Sequence, residues 1–296
     1  MEFTHIRSLL SVADHGKIGD AASALGISQS GLTRRVQLLE ESLGCELVER
    51  SGRGIVLTEM GRLVVERGRS IVERVDTLTE DVARHVRLEA GVVRIGGGAT
   101  AVSYLLPRQI AAFRRKNPGV RFEVREAGSR DVEQSVLGER IELGVVTLPV
   151  QSKELVVRTL MTDRIVLVAA AGHPLAKMKR VPLSALKGES LVGFEAGTKL
   201  RSLIDTALGK ADVTMNVVAE LRSIAAILRM AETTGSMAFV SSMGTEGTQV
   251  LSVPGLKVER QLALISRGEK TLSPAARSFA DALWRSAQSK KDAHCE

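Results

Sequence analysis

The sequence predicts an α/β protein in three parts: a module of short helices with a hairpin at residues 1–57, one long amphipathic helix at 58–90, and a two-lobed α/β domain at 91–296. Three observations lead there. Residues 4–57 carry short apolar runs at helical spacing, interrupted by Gly16 and Gly26. Residues 58–88 keep a single apolar stripe with charges between its members. After Gly91, β-rich runs alternate with helical ones, an order that builds a parallel sheet with helices on both faces. A chain of 296 residues also favours several domains, because single cores tend to split before that size.

In the first part, Ile6, Leu9, Leu10 and Ala13 share one helix face, and Gly16 ends that helix. Asp20 to Leu25 reads as a second helix, Gly26-Ile27 as a tight turn, and Ser28 as the cap of a third helix with Leu32, Val36, Leu39 and Leu43 on one face. Two short helices, a glycine turn and a capped third helix make a helix-turn-helix. The glycines of Arg50-Ser51-Gly52-Arg53-Gly54, followed by Ile55-Val56-Leu57, suit a small β-hairpin or wing. Thr58 can cap the long helix. Its stripe is Val64, Gly68, Ile71, Val75, Leu78, Val82 and Val86, roughly 45 Å long at about 1.5 Å per residue. Such a stripe suits pairing with a second copy, or lying on its own domain.

In the last part, strands are expected at 92–95, 120–124 and 143–146 with helices at 105–116 and 131–138. A second group has strands near 165–169, 191–193, 214–220 and 237–240 and helices near 200–208 and 223–233. Residues 258–266 and a final helix at 273–288 can return to the first group. That gives lobe I at about 91–162 and 265–296, lobe II at about 163–264, two crossings and a cleft.

Composition narrows the function classes. No apolar run approaches the ~18 residues of a membrane span, and the start, MEFTHIRSLL, lacks a secretory pattern, so a cytoplasmic protein with no membrane partner is expected. Cys45 and Cys295 have no third or fourth partner, so neither a zinc site nor a disulfide framework is expected, and no metal or cofactor. The net charge of +7 does not mark a DNA-binding part: residues 1–90 carry 12 Lys and Arg against 14 Asp and Glu, and the remainder 29 against 20. Local placement of basic residues has to carry that argument.

The run GISQSGLTRRVQLLEESLGCELVERSGRGIVLTEMG at 26–61 resembles the LysR-type transcription regulators, through Ala21-Ala22 before it, Ser28-Gln29, Leu39-Glu40, Leu43-Gly44, Arg50 and Leu57-Thr58-Glu59-x-Gly61. His173-Pro174-Leu175-Ala176, Glu195-Ala196-Gly197-Thr198 with Arg201, and Ser223 to Val240 extend the resemblance through the chain. It implies a sequence-specific regulator, with a winged helix-turn-helix at 1–57, a linker and dimerisation helix at 58–90, and an effector-binding domain at 91–296 of the periplasmic-binding-protein-like fold. It also implies a homodimer through the linker helices, commonly a homotetramer, on double-stranded promoter DNA, where RNA polymerase is a further possible partner. The chain departs from the family pattern at Gly19, where a helix-capping Thr or Ser is frequent, at Ser30, where proline is frequent, and at Ser241-Ser242, which replace a common Leu-Pro.

The amino end of a recognition helix enters the major groove, which makes Ser28, Gln29, Ser30, Thr33, Arg34, Arg35 and Gln37 the candidate DNA contacts. Glutamine can pair bidentately with adenine and arginine with guanine, and hydroxyls serve phosphates or bases less selectively. Arg53, between glycines, can reach the backbone or minor groove. Arg35 and Arg50 can equally pair with Glu40, Glu46 or Glu49.

Ligands of open α/β sheets sit beyond the carboxyl ends of strands, near helix amino ends. Gly98, Ala99, Thr100 and Ser103 follow the first strand, Gly128-Ser129 the second and Thr147 the third; Phe194, Gly197, Thr198 and Arg201 would face them from lobe II. The resemblance makes Thr100 the leading ligand candidate. Hydroxyls and helix amino ends favour a small anion such as a carboxylate, although capping explains each hydroxyl taken singly. The glycines at 96–98 lack the lysine of a P-loop and form no GxGxxG pattern, so no nucleotide site is read from them.

Three other classes and one redox variant of the regulator compete with this reading. None of the five histidines falls in the mouth and no catalytic grouping stands out, so an enzyme is not expected. A transport-type solute-binding protein would need an export signal and not residues 1–90. A non-specific nucleoid or replication-control protein would also carry a helix-turn-helix. A thiol switch lacks a resolving pair, and burial is the expected role of Cys45.

Overall fold

The computed structural model describes residues 2–51, 54–170, 172–268 and 271–292. It divides into two compact units, Met1–Arg84 and His85–Glu296.

The first unit contains α1 (Phe3–His15), α2 (Ile18–Ala24), α3 (Gln29–Leu43), the antiparallel hairpin β1 (Val48–Ser51) and β2 (Gly54–Leu57), and most of α4 (Glu59–Val86). Ile6, Leu9, Ala21, Leu32, Leu39 and Leu47 are buried in its core. Gly16 and Gly44 end α1 and α3 in the left-handed conformation, and the Ser28 hydroxyl accepts from Gly31 N–H at 3.1 Å, as the sequence predicts for a capped third helix. The second helix starts at Ile18, so Gly19 lies in its first turn and not at its cap. A Cβ there would meet the end of the exposed Gln29 side chain at 3.1 Å, a contact that the side chain can relieve by moving.

The Thr58-Glu59-x-Gly61 pattern also has a physical reason. Thr58 donates to the Glu46 carbonyl at 2.8 Å and accepts from Gly61 N–H at 2.9 Å, closing the start of α4. A side chain at Gly61 would overlap the Leu47 carbonyl oxygen. Further along, Gly68 lies against α1, where a Cβ would meet Ile6 Cγ2 at 2.8 Å, and Val64 and Val72 pack on the core. Arg7–Asp76 and Arg69–Asp14 ion pairs add to that contact. The stripe of α4 is therefore divided: its first half lies on its own unit, while Leu78, Val82 and Val86 stay 63, 56 and 63% exposed.

Among the described residues, the second unit is built on one nine-stranded sheet. Its strands are β3 (Gly91–Gly97), β4 (Val120–Glu126), β5 (Leu143–Thr147), β6 (Val156–Ala169), β7 (Ser190–Phe194), β8 (Asn216–Leu221), β9 (Met237–Ser241), β10 (Gln249–Val250) and β11 (Val258–Ser266). Their order is β4-β3-β5-β11-β6-β9-β7-β8, with β10 beside β6. The expected parallel pairs are present as β3 with β4 and β5, and as β7 with β8 and β9. Two antiparallel strands, β6 and β11, join these groups and pair with each other along their length.

Helices α5 (Leu106–Lys116) and α9 (Pro274–Asp292) cover one face of the first group around Phe113, Phe122 and Phe279, whose rings meet edge to face. Helix α6 (Ser129–Leu137) covers the other through Val132 and Val136. The second group buries α7 (Lys199–Lys210) and α8 (Ile224–Thr234) through Leu200, Ile204, Ile224 and Ile227. On β6, Leu160 belongs to the first core and Ile165 to the second; on β11, Val258 belongs to the second and Leu264 to the first. The sequence reading recovered only the later half of β6. Its earlier half, 156–164, has only the short apolar pairs Val156-Val157 and Leu160-Met161, separated by Arg158 and Thr159 and followed by Thr162, Asp163 and Arg164, so no apolar run stands out.

Candidate DNA-reading surface and effector cleft

On α3, Ser28, Gln29, Ser30, Arg34 and Gln37 are exposed, and Thr33 and Arg35 half-buried. The Ser28 and Thr33 hydroxyls serve the helix itself, Thr33 donating to the Gln29 carbonyl at 2.9 Å. Arg34 reaches Glu41 at 3.2 Å across an exposed surface. Glu40 is not a partner for Arg35 or Arg50: its carboxylate accepts from Leu47 and Val48 N–H at 2.7 and 3.2 Å and fixes the entry to the hairpin. Arg53 lies outside the described residues. Cys45 is half-buried against the core of this unit.

In the second unit, the ends of three parallel strands gather Thr100, Ser129 and Thr147. Ser129 Oγ accepts from Thr147 N–H at 3.1 Å. Thr100 and Thr147 are each 4% exposed, and both hydroxyls accept from Arg260, at 2.7 Å from Nη2 and 3.3 Å from Nη1. Arg260 stands directly opposite Asp163 in the pairing of β11 with β6, and its Nε donates to Asp163 at 2.8 Å. The other Asp163 oxygen accepts from Ser241 Oγ at 2.5 Å. Ser241, a departure from the family pattern, thus belongs to an ion-pair network buried where the two lobes join.

Of the remaining predicted residues, Gly98 and Ala99 are half-buried and Ser103 and Gly128 exposed at the same strand ends. Across from them, Thr198 caps α7, accepting from Arg201 N–H at 3.2 Å, and Gly197 precedes it with φ +82°. The next residue, Lys199, was not singled out in the sequence. Its ammonium reaches Glu133 at 3.0 Å and the carbonyls of Thr147 and Pro149 at 3.1 and 2.6 Å, all in the first lobe.

Phe194 and Arg201 are placed differently from the sequence expectation. The Phe194 side chain is buried in the second lobe's core. Arg201 donates to Asp205, to Glu220 at 2.7 Å and to the Phe194 carbonyl at 2.9 Å, tying α7 to β7 and β8. Burial pulls its pKa down, but the hydrogen bonds to Glu220 and Asp205 outweigh that and hold it above its ordinary value. Glu220 is held below the usual carboxylate range, first by its hydrogen bond from Arg201 and then by Ala196 N–H. His173, from the His-Pro-Leu-Ala motif, is also structural: its Nδ1 accepts from Leu175 N–H at 3.2 Å. Sequence spacing could not find Arg260 or Asp163, since each lies beside another charge in its strand and nothing local marks it out; only the substitution at Ser241 signalled a local difference.

Comparison with known proteins matches residues 3–62 to the model of the bacterial regulatory helix-turn-helix protein, lysR family, and residues 87–288 to that of the LysR substrate binding domain. The chain belongs to the LysR family of transcription regulators. Its LysR-type relatives include the uncharacterized HTH-type transcriptional regulator YbhD of Escherichia coli, 26% identical over 94% of this chain and 89% of that protein. A probable RuBisCO transcriptional regulator of Phaeodactylum tricornutum is 28% identical over 94% of each. Among solved LysR structures, full-length CbnR complexed with its target DNA superposes with a TM-score of 0.71 at 23% identity, covering 97% of this chain and all of that one. The CcmR regulatory domain of Synechocystis in complex with 2-PG gives 0.61 at 21% identity, covering 67% and 98%. Among the described residues, no helix is long and apolar enough to cross a membrane, and no group of His, Cys, Asp or Glu is arranged to hold a metal ion.

Proposed function

We propose that this LysR regulator binds promoter DNA in a sequence-specific way through α3 and the β1–β2 hairpin, and that a small anionic effector in the cleft of its second unit modulates promoter binding or DNA bending. The observation that carries the effector reading is the convergence of Thr100, Ser129 and Thr147 from three strand ends opposite the amino end of α7. That arrangement offers hydroxyls and a helix dipole to one small oxyanion. The CcmR regulatory domain in complex with 2-PG, and the effector binding domain of QuiR in complex with shikimate, are in keeping with it.

The DNA contacts we assign are Ser28, Gln29, Ser30, Thr33, Arg34, Arg35, Gln37 and Arg53. For the effector we assign Gly98, Ala99, Thr100, Ser103, Gly128, Ser129, Thr147, Gly197 and Thr198. The exposed Leu78, Val82 and Val86 of α4 support a homodimer through residues 58–90, assembling further into a homotetramer. The protein acts in the cytoplasm, without catalysis. A DNA footprint over the intergenic region beside its own gene, at stated salt, tests this reading with and without a panel of small carboxylates and uncharged metabolites. A protected site with two-fold symmetry that shifts with a carboxylate is expected. Uniform, salt-sensitive coating with no preferred site would favour a nucleoid role instead.

A further inference from the structure

Arg260 is a guanidinium buried at the cleft together with the groups it serves. Its side chain is 7% exposed, and that of its partner Asp163 is fully buried. The carboxylate fixes the guanidinium from its Nε side and is itself fixed by Ser241, so the two Nη groups have one direction left, toward Thr100 and Thr147. A hydroxyl that accepts from a cation is polarised, and its own hydrogen turns away from the charge and becomes a stronger donor. Among the described residues, the hydrogen bonds seen at the two threonine hydroxyls are the ones they accept from Arg260. Two hydroxyls on 4% exposed residues therefore share one guanidinium as their donor, and each keeps its own O–H to give to an acceptor. Such groups are costly to bury unless something accepts from them.

We propose that Arg260 converts Thr100 and Thr147 into a paired donor site for a single oxyanion group, a carboxylate in the natural ligand, and that Arg260 thereby sets the cleft's preference for anions. This rests on the reading of the cleft as the effector site and adds the residue that fixes its polarity. Net charge does not do it, because Asp163 neutralises Arg260 and Glu133 neutralises Lys199. Preference comes from the direction in which the hydroxyls point. A ligand that brings only donors, such as an ammonium group, meets two hydrogens and the guanidinium behind them.

The test is to crystallise the full chain in rubidium bromide and locate each ion by anomalous scattering at its own absorption edge. Bromide within hydrogen-bond reach of both Thr100 Oγ1 and Thr147 Oγ1, with no rubidium there, is expected. The Thr100→Val, Thr147→Val double variant, nearly isosteric, should lose the peak, while Thr147→Ser keeps it. Arg260→Gln combined with Asp163→Asn keeps a neutral polar pair at the hinge and both threonines, yet should reduce bromide occupancy at least tenfold. Rubidium at the hydroxyls, no bromide there, or bromide that survives either double variant would overturn the proposal. None of these readouts involves DNA. A bromide site in a protein whose footprint ignores every carboxylate would fail the effector reading alone; a carboxylate response without the bromide site would fail this inference alone.

Discussion

The Lys199 ammonium at the start of α7 lies 3.0 Å from the Glu133 carboxylate on α6, so one lobe's helix is pinned to a carboxylate that the other lobe buries. Glu133 is 3% exposed in its side chain and also accepts from Gln151 N–H at 2.8 Å; Lys199 is 26% exposed. Removing one member of such a pair strands the other's charge in a poorly solvated place. Lys199→Met should destabilise the protein by about 2–3 kcal/mol, below the range for fully buried pairs because Lys199 keeps some solvent. Adding Glu133→Gln should recover most of that loss, measured by urea unfolding of all four members of the cycle.

A second link between the lobes is steric. Tyr104 follows Thr100 in a π-helical turn, Ala101–Leu105, and its ring covers Gly244 so closely that a side chain there would overlap it. Gly244→Ala should cost about 1–3 kcal/mol by forcing the ring aside. In a Tyr104→Ala background the same change should be nearly neutral. Equal costs in both backgrounds would mean that the glycine answers to something other than the ring.

Much of this architecture was legible because it rests on short-range signals. Ser28 with Gly31, Gly16 and Gly44 set helix ends through contacts within a few residues, and the strands flanking α5 and α6 are apolar or alternating stretches with clear boundaries. The cleft was half legible. Thr100, Ser129 and Thr147 follow strand ends, a position readable from element order. Arg260 and Asp163 meet only because β6 and β11 pair across 97 residues of sequence, and no local pattern reports such a register. Arg201 differs for the opposite reason: it stands near Thr198 in sequence, but Glu220 on β8 and the Phe194 carbonyl on β7 hold its side chain within its own lobe.

Gly61 offers a test of the first unit. Its position against the Leu47 carbonyl sets how closely α4 approaches the segment leading into the hairpin. The clash is with backbone and cannot be relieved by a rotamer change. Gly61→Ala should cost about 3 kcal/mol and abolish operator binding. Thr58→Ala, which removes only the cap, should cost about 1 kcal/mol and leave binding measurable by gel shift.

The pair of Arg201 with Glu220 predicts an acid limb. Glu220's carboxyl is held below its ordinary value in the folded protein, so its contribution is present above the unfolded value, roughly 4.3, and is lost as pH falls through the folded one. Glu220→Gln should flatten the loss of stability below about pH 4 while leaving the neutral region's slope unchanged. Thermal unfolding across pH 2.5–6, roughly the carboxylate range, checks this. A steeper acid limb in the variant would reverse the assignment.

As a proposed DNA contact, Arg34 has a competing partner within its own helix. In the free protein it pairs with Glu41 at 3.2 Å, both side chains being about 60% exposed, and such exposed pairs contribute little. The pair has to open for Arg34 to reach a base, so Glu41→Gln should tighten operator binding a few-fold. If Arg34 pairs with a guanine edge, Arg34→Ala should cost about 1–3 kcal/mol on the operator and relax specificity at one position. If it contacts a phosphate, the loss should be uniform across sequences and the salt dependence should fall by about one counterion. Titrations of both variants against operator and scrambled DNA at several salt concentrations separate the two roles. We expect the base contact, because Arg34 lies one helical turn beyond Ser30 on the exposed side of α3, the side that a major groove receives.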